Sequence, residues 1–154
     1  MKSLSQVMDQ AMVLKSEISK LLLASTYKEC SDLSGLDINH GDSEQLLQLE
    51  ALRDITEKLA DVEATLEYMS LPVRESGQLK KNADGKYATG NGYVLHAGSV
   101  VEALIVDGIH DVPYWAIDRV EHDGSDYCLD KNSYISMDGL VVRIRGKEED
   151  ETYG

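Results

Sequence analysis

The 154-residue chain contains no phenylalanine, one tryptophan, two prolines and two cysteines. Without phenylalanine, its interior has to be built mainly from aliphatic side chains. Cys30 and Cys128 are too few for a disulfide framework, and no secretory signal precedes them. Both are expected as small core or surface thiols in a reducing cytoplasm. The strongest apolar run, Leu21-Leu22-Leu23-Ala24, falls far short of the roughly 20 residues that a membrane span requires. Bases are scarce as well: 15 against 28 acids, a formal net charge of −13. Such a surface repels phosphate, which disfavours direct binding to nucleic acid or to an anionic membrane. It suits solubility, or a basic protein partner.

A hydrophobic content of 42% is enough for a packed core. Tyr27 and Tyr68 are the only aromatics before residue 76, whereas Tyr87, Tyr93, Tyr114, Trp115, Tyr127, Tyr134 and Tyr153 follow it. Aromatics favour strands, while Leu, Met, Glu and Lys favour helices. The distribution points to an α+β chain with a helical first half and a β-rich second half.

From residue 3 to about 29, Leu4, Val7, Ala11, Leu14, Ile18 and Leu21 recur at helical spacing, and Ser3 with Gln6 forms a capping box. A second helix is expected from about 43 to 70, with Leu52, Ile55, Leu59, Val62, Leu66 and Met69 on one stripe. Asp42 or Ser43 caps it, Asp54 pairs with Lys58, and Pro72 stops it. Neither stripe is stable in water, so the helices are expected to form a hairpin or a coiled coil, with a homodimer as a further option. Between them, Asp37-Ile38-Asn39-His40-Gly41-Asp42 has only a superficial likeness to a calcium loop. Asp42 stands where the sharp-turn glycine belongs and Gln48 where the closing glutamate belongs.

Past Leu71-Pro72-Val73 the punctuation is that of β-structure: Asp84-Gly85, Asn91-Gly92, Asp107-Gly108, Asp123-Gly124 and Asp138-Gly139. Val100 to Val106 reads as a strand buried on both faces. Trp115–Val120 and Tyr127–Leu129 read as a hairpin about Asp123-Gly124, and Leu140, Val142 and Ile144 as an inward face. Five or six short strands predict a small, highly curved antiparallel sheet, closed as an SH3-like barrel. Its expected core is Val101, Leu104, Trp115, Ile117, Leu140, Val142 and Ile144. The organisation is therefore 1–72 helical, 73–147 β, and 148–154 a frayed acidic tail.

No catalytic constellation emerges. His40, His96, His110 and His122 are far apart, no Cys-x-x-Cys is present, and Thr89-Gly90-Asn91-Gly92 lacks the lysine of a phosphate loop. The reading is no enzyme, no cofactor and no metal. What stands out is a run of eight acids with a single base, Arg119: Glu102, Asp107, Asp111, Asp118, Glu121, Asp123, Asp126 and Asp130. Carboxylates spaced on a rigid scaffold can occupy a groove that holds phosphates. These eight are the candidate partner-binding residues, the alternative being a solvated acidic face.

Residues 71 to 145 resemble a bacterial domain of unknown function found in small proteins of plasmids, phages and integrative elements. The resemblance rests on Leu71-Pro72-Val73, Gly92-Tyr93-Val94-Leu95-His96-Ala97-Gly98, Val101-Glu102-Ala103-Leu104-Ile105, Trp115, Arg119-Val120-Glu121-His122-Asp123-Gly124 and Gly139-Leu140-Val141-Val142-Arg143-Ile144. It departs at an extra loop, Gly108 to Tyr114. It implies a mobile-element setting, where small acidic proteins include inhibitors of host nucleases and anti-CRISPR proteins that mimic DNA. The leading expectation is thus a DNA-mimicking inhibitor of a basic, nucleic-acid-handling protein such as a CRISPR effector. The alternative is an adaptor with oligomerising helices and a protein-binding β domain.

Overall fold

A computed structural model of the chain describes residues 1–27 and 32–146; Cys30 and the acidic tail 148–154 lie outside the described residues. The chain divides into two compact units, one spanning Met1–Ser70 and one beginning at Leu71.

In the first unit, α1 (Leu4–Ala24) starts at the expected capping box. Ser3 Oγ accepts from Gln6 N, and Gln6 Oε1 accepts from Ser3 N. α1 ends earlier than expected, at Ser25, and Thr26 then takes a left-handed φ of 55°. α2 (Ser43–Ser70) begins where Asp42 Oδ1 accepts from the backbone of Glu44 and Gln45, two amides with no intrahelical partner. Lys15 pairs with Glu67 and Ser19 donates to Glu63. The numbers rise on α1 as they fall on α2, so the helices run in opposite directions. Ile18, Leu22 and Leu66 are the buried seam, flanked by Ala11, Met12, Tyr27, Leu59 and Ala60.

The predicted stripes are only half covered. Leu4, Val7, Leu14 and Leu21 on α1, and Ile55, Val62 and Met69 on α2, remain exposed. A 3–4 spacing marks a broad apolar side of a helix, and one neighbouring helix covers only part of it.

The second unit holds β1 (Val73–Gln78), β2 (Lys80–Lys81), β3 (Tyr87–Ala88), β4 (Val100–Ile105), β5 (Tyr114–His122), β6 (Tyr127–Leu129) and β7 (Val141–Arg145). Five of them form an antiparallel sheet in the order β1-β7-β4-β5-β6, and β2 and β3 pair separately. Among the described residues the expected SH3-like closure is absent: β1 and β6 stand at opposite edges and do not pair. Those edges are blunted instead, β6 by its three residues and β1 by a bulge between Val73 and Glu75. The expected hairpin forms between β5 and β6, and Gly124 turns it at a φ of 99°, where a side chain is strained.

The core lies on one face of this sheet. Val101, Ala103 and Ile105 share it with Val120, Leu129, Val142 and Ile144, and it is closed by Leu79, Tyr87, Leu95, Met137 and Leu140. Three expected core residues are misplaced. Trp115 is 43% and Ile117 45% exposed, because register puts Ala116 opposite Ala103 and Asp118 opposite Val101 on the inner side. Leu104, paired with Trp115, is likewise on the outer face and only half-buried. β4 is central, and its second face carries the ion-paired Glu102 between Val100 and the half-buried Leu104.

Candidate binding face

The eight acids have different local settings. Glu102 and Asp118 are each only 4% exposed, so neither presents a carboxylate to a partner, contrary to the sequence expectation. Glu102 is opposite Arg143 in the β4–β7 ladder. Its Oε1 accepts from Arg143 Nη2 at 2.6 Å and Nε at 3.0 Å, and its Oε2 takes the Nε of Arg145.

Asp118 fastens the loop after β6 to β5. It accepts from the backbone of Arg119 at 2.7 Å, Lys131 at 3.0 Å and Asn132 at 3.1 Å, and from Asn132 Nδ2 at 2.8 Å. Burial alone raises its pKa, but the bonds from Lys131, Arg119 and Asn132 hold the carboxyl below the usual aspartate value.

Three more acids organise turns, where Asp is favoured for such local bonding. Asp107 accepts from the backbone of His110 at 2.8 Å and of Ile109 at 3.0 Å, and the His110 ring nitrogen Nδ1 lies 3.0 Å from it. These bonds, that from the His110 backbone foremost, lower its pKa. Asp123 accepts from Asp126 N, Ser125 N and Ser125 Oγ, and is lowered to about 2 by those bonds. Asp126 joins Tyr87 Oη at 3.1 Å and Lys81 Nζ at 3.2 Å, tying the β2–β3 pair to the β5–β6 turn. Asp111 and Asp130 are exposed and Glu121 is half-buried. The run is therefore not one continuous acidic face. Five of its members hold the fold together.

The sequence reading missed the outer face of the sheet. Partners in register share a face, which sets Val100 beside Arg119, Glu102 beside Ile117 and Arg143, and Leu104 beside Trp115. The Arg143 guanidinium lies over the Trp115 ring, 4.5 Å from its centroid, a stacking that holds both side chains flat against the strands. Val100, Trp115, Ile117 and Val141 are all exposed there. A shallow groove at its β6 end is lined by Val100, Ile117, Asp118, Arg119, Glu121, Asp130 and Lys131. Across face and groove, the bases Arg119, Lys131, Arg143 and Arg145 balance the surface acids Glu121 and Asp130 and the buried Asp118 and Glu102. In a chain of net charge −13 this face is locally close to neutral. The detectable signal was parity: Trp115, Ile117 and Arg119 alternate with Ala116, Asp118 and Val120, and a strand cannot bury both sets against one core.

Among the described residues, no group of three or more His, Cys, Asp or Glu could hold a metal ion. Burial, and then the carboxylates of Asp123 and Glu121, push the Cys128 thiol up, away from the nucleophilic thiolate. No described helix is long and apolar enough to cross a membrane.

Comparison with known proteins gives one result. Residues 77–144, most of the β unit, match a family described as a domain of unknown function (DUF5348). No curated protein and no solved structure matches the chain significantly.

Proposed function

We propose that the chain is a non-enzymatic adaptor of the cytoplasm, whose helix hairpin serves association and whose β unit docks another protein on the outer face around Trp115. The observation that carries this reading is the exposed Trp115–Ile117 pair, fixed by the Arg143 stack. A half-exposed aromatic held rigid by a neighbouring arginine is the kind of anchor that dominates protein interfaces. The exposed side chains define the occupant: a protein segment that offers an apolar side chain to Trp115 and Ile117 and a carboxylate to the exposed Arg119. The resemblance noted above supports a bacterial mobile element as the setting.

Decoy action on a basic, nucleic-acid-handling partner such as a CRISPR effector remains the second reading. It is favoured by the net charge of −13 and by Asp111, Glu121 and Asp130. It is weakened by the internal use of Glu102, Asp107, Asp118, Asp123 and Asp126. The chain has one tryptophan, so its emission reports on the proposed face alone. Saturation with a purified partner should shift that emission to the blue as Trp115 leaves water. Saturable binding with an unmoved spectrum would sink the proposal and favour the decoy.

A further inference from the structure

The helical unit has an apolar side that its own two helices leave uncovered. Val7, Leu14 and Leu21 repeat every seven residues on α1, and Ile55, Val62 and Met69 repeat every seven on α2. All six are 36–57% exposed. Val7, Leu14 and Leu21 each precede by one position a residue on the inner side of α1: Met8, Lys15 and Leu22. Ile55 and Val62 likewise precede Thr56 and Glu63. One residue is a turn of about 100° about the helix axis, so each set is rotated off the seam in the same sense.

The helices run in opposite directions, which reverses that sense as seen from one end, and they face each other, which reverses it again. The two sets consequently lie on the same broad side of the pair. The register set by Lys15–Glu67 and Ser19–Glu63 brings Leu21 level with Val62 and Leu14 level with Met69.

We infer that this side is an isologous interface at which a second copy of the chain docks to form a four-helix bundle. Three features single out the second copy. A seven-residue repeat on both helices is the spacing by which helix pairs pack on one another. The six side chains place on the order of 500 Å² per copy, about 1,000 Å² per pair, in the interface, which reaches the lower range for a specific association. Charge favours it as well. The α2 acids Glu50, Asp54, Glu57 and Asp61 recur on the solvent side away from the apolar set, and Glu63 and Glu67 turn toward Ser19 and Lys15. On α1, Glu17 stands three residues from Leu14 and four from Leu21 but is paired with Lys20, so a chain with 28 acids brings little unpaired negative charge to the surface where two copies meet.

The test is the mass of the full chain in solution, measured by sedimentation equilibrium over a hundredfold concentration range. The expected result is twice the 17.0 kDa of one chain, falling to one chain in Leu14→Glu with Val62→Glu. Val13→Glu, at an exposed position off the face, should leave the dimer intact. Circular dichroism checks that helix content is kept. If the glutamates lower it, Leu14→Gln with Val62→Gln removes the apolar contact without adding charge and should still give one chain. A constant single-chain mass in the unaltered protein would overturn the inference and leave the surface to a different protein. A dimer that survives both double substitutions would overturn it too, by placing the interface elsewhere.

Discussion

Glu102 on β4 and Arg143 on β7 stand opposite each other in the ladder, and the carboxylate takes two hydrogen bonds from that guanidinium while also holding Arg145. One acid thus occupies the sheet face that the central strand does not turn to the core. Removing one partner of a buried pair leaves the others desolvated and uncompensated. Glu102→Ala should lower the stability of the β unit by about 3 kcal/mol in urea denaturation. Asp111→Ala, at an exposed acid, should stay within about 0.5 kcal/mol of the parent. Equal effects of the two would remove the structural role of Glu102.

Asp118 gives a second prediction. Its carboxylate satisfies the backbone amides of Lys131 and Asn132, so Asp118→Ala leaves donors without partners at a cost of roughly 1–3 kcal/mol. Hydrogen exchange at the amides of Lys131 and Asn132 should rise more than at the core strands. Unchanged protection of those two amides would count against the clamp.

The third concerns acid. Asp123 has its folded pKa lowered to about 2 from an ordinary 3.8, and those of Asp107 and Asp118 are lowered as well. A depressed pKa means that the folded state binds protons less readily than the unfolded one. The stability these groups contribute is complete above their unfolded pKa and is lost as pH falls through the folded one. For Asp123 the window is about pH 4 down to about pH 2. The carboxyl carbon of Asp123 should titrate by NMR near pH 2, and the β unit should melt at a lower temperature at pH 2.5 than at pH 5. A midpoint near 4 would mean that the Asp123 turn does not hold in solution.

How far the sequence reached depends on which residues bear a local signal. Capping at Ser3 and Asp42, the Asp54–Lys58 pair, the Asp123-Gly124 hairpin and the inward set of Leu140, Val142 and Ile144 were all legible, because each is set within a few residues. Barrel closure and the face occupied by Trp115 were not, since both depend on which strands pair and in what register. Size misled as well: Trp115 reads as core, whereas the inward positions of β5 go to Ala116, Asp118 and Val120. Asp118 looks like a surface residue until the loop at Lys131 and Asn132 comes back to meet it. On α2, Thr56 is fully buried with its hydroxyl returned to Leu52 O at 2.8 Å, so a seam position carries no apolar signature. The acidic run was visible as composition, but composition does not distinguish a carboxylate that meets a partner from one that closes a turn.

The central claim is that the outer sheet face, and not the acidic run, engages the partner. Capture from a bacterial lysate with three forms of the full chain tests it most directly: the parent, Trp115→Ser with Ile117→Ser, and Asp111→Lys with Glu121→Lys and Asp130→Lys. All the altered positions are exposed or half-buried, so circular dichroism should show the same fold in all three. A protein should be held by the parent and the lysine form and lost from the serine form. A protein held by the serine form and lost from the lysine form would contradict it.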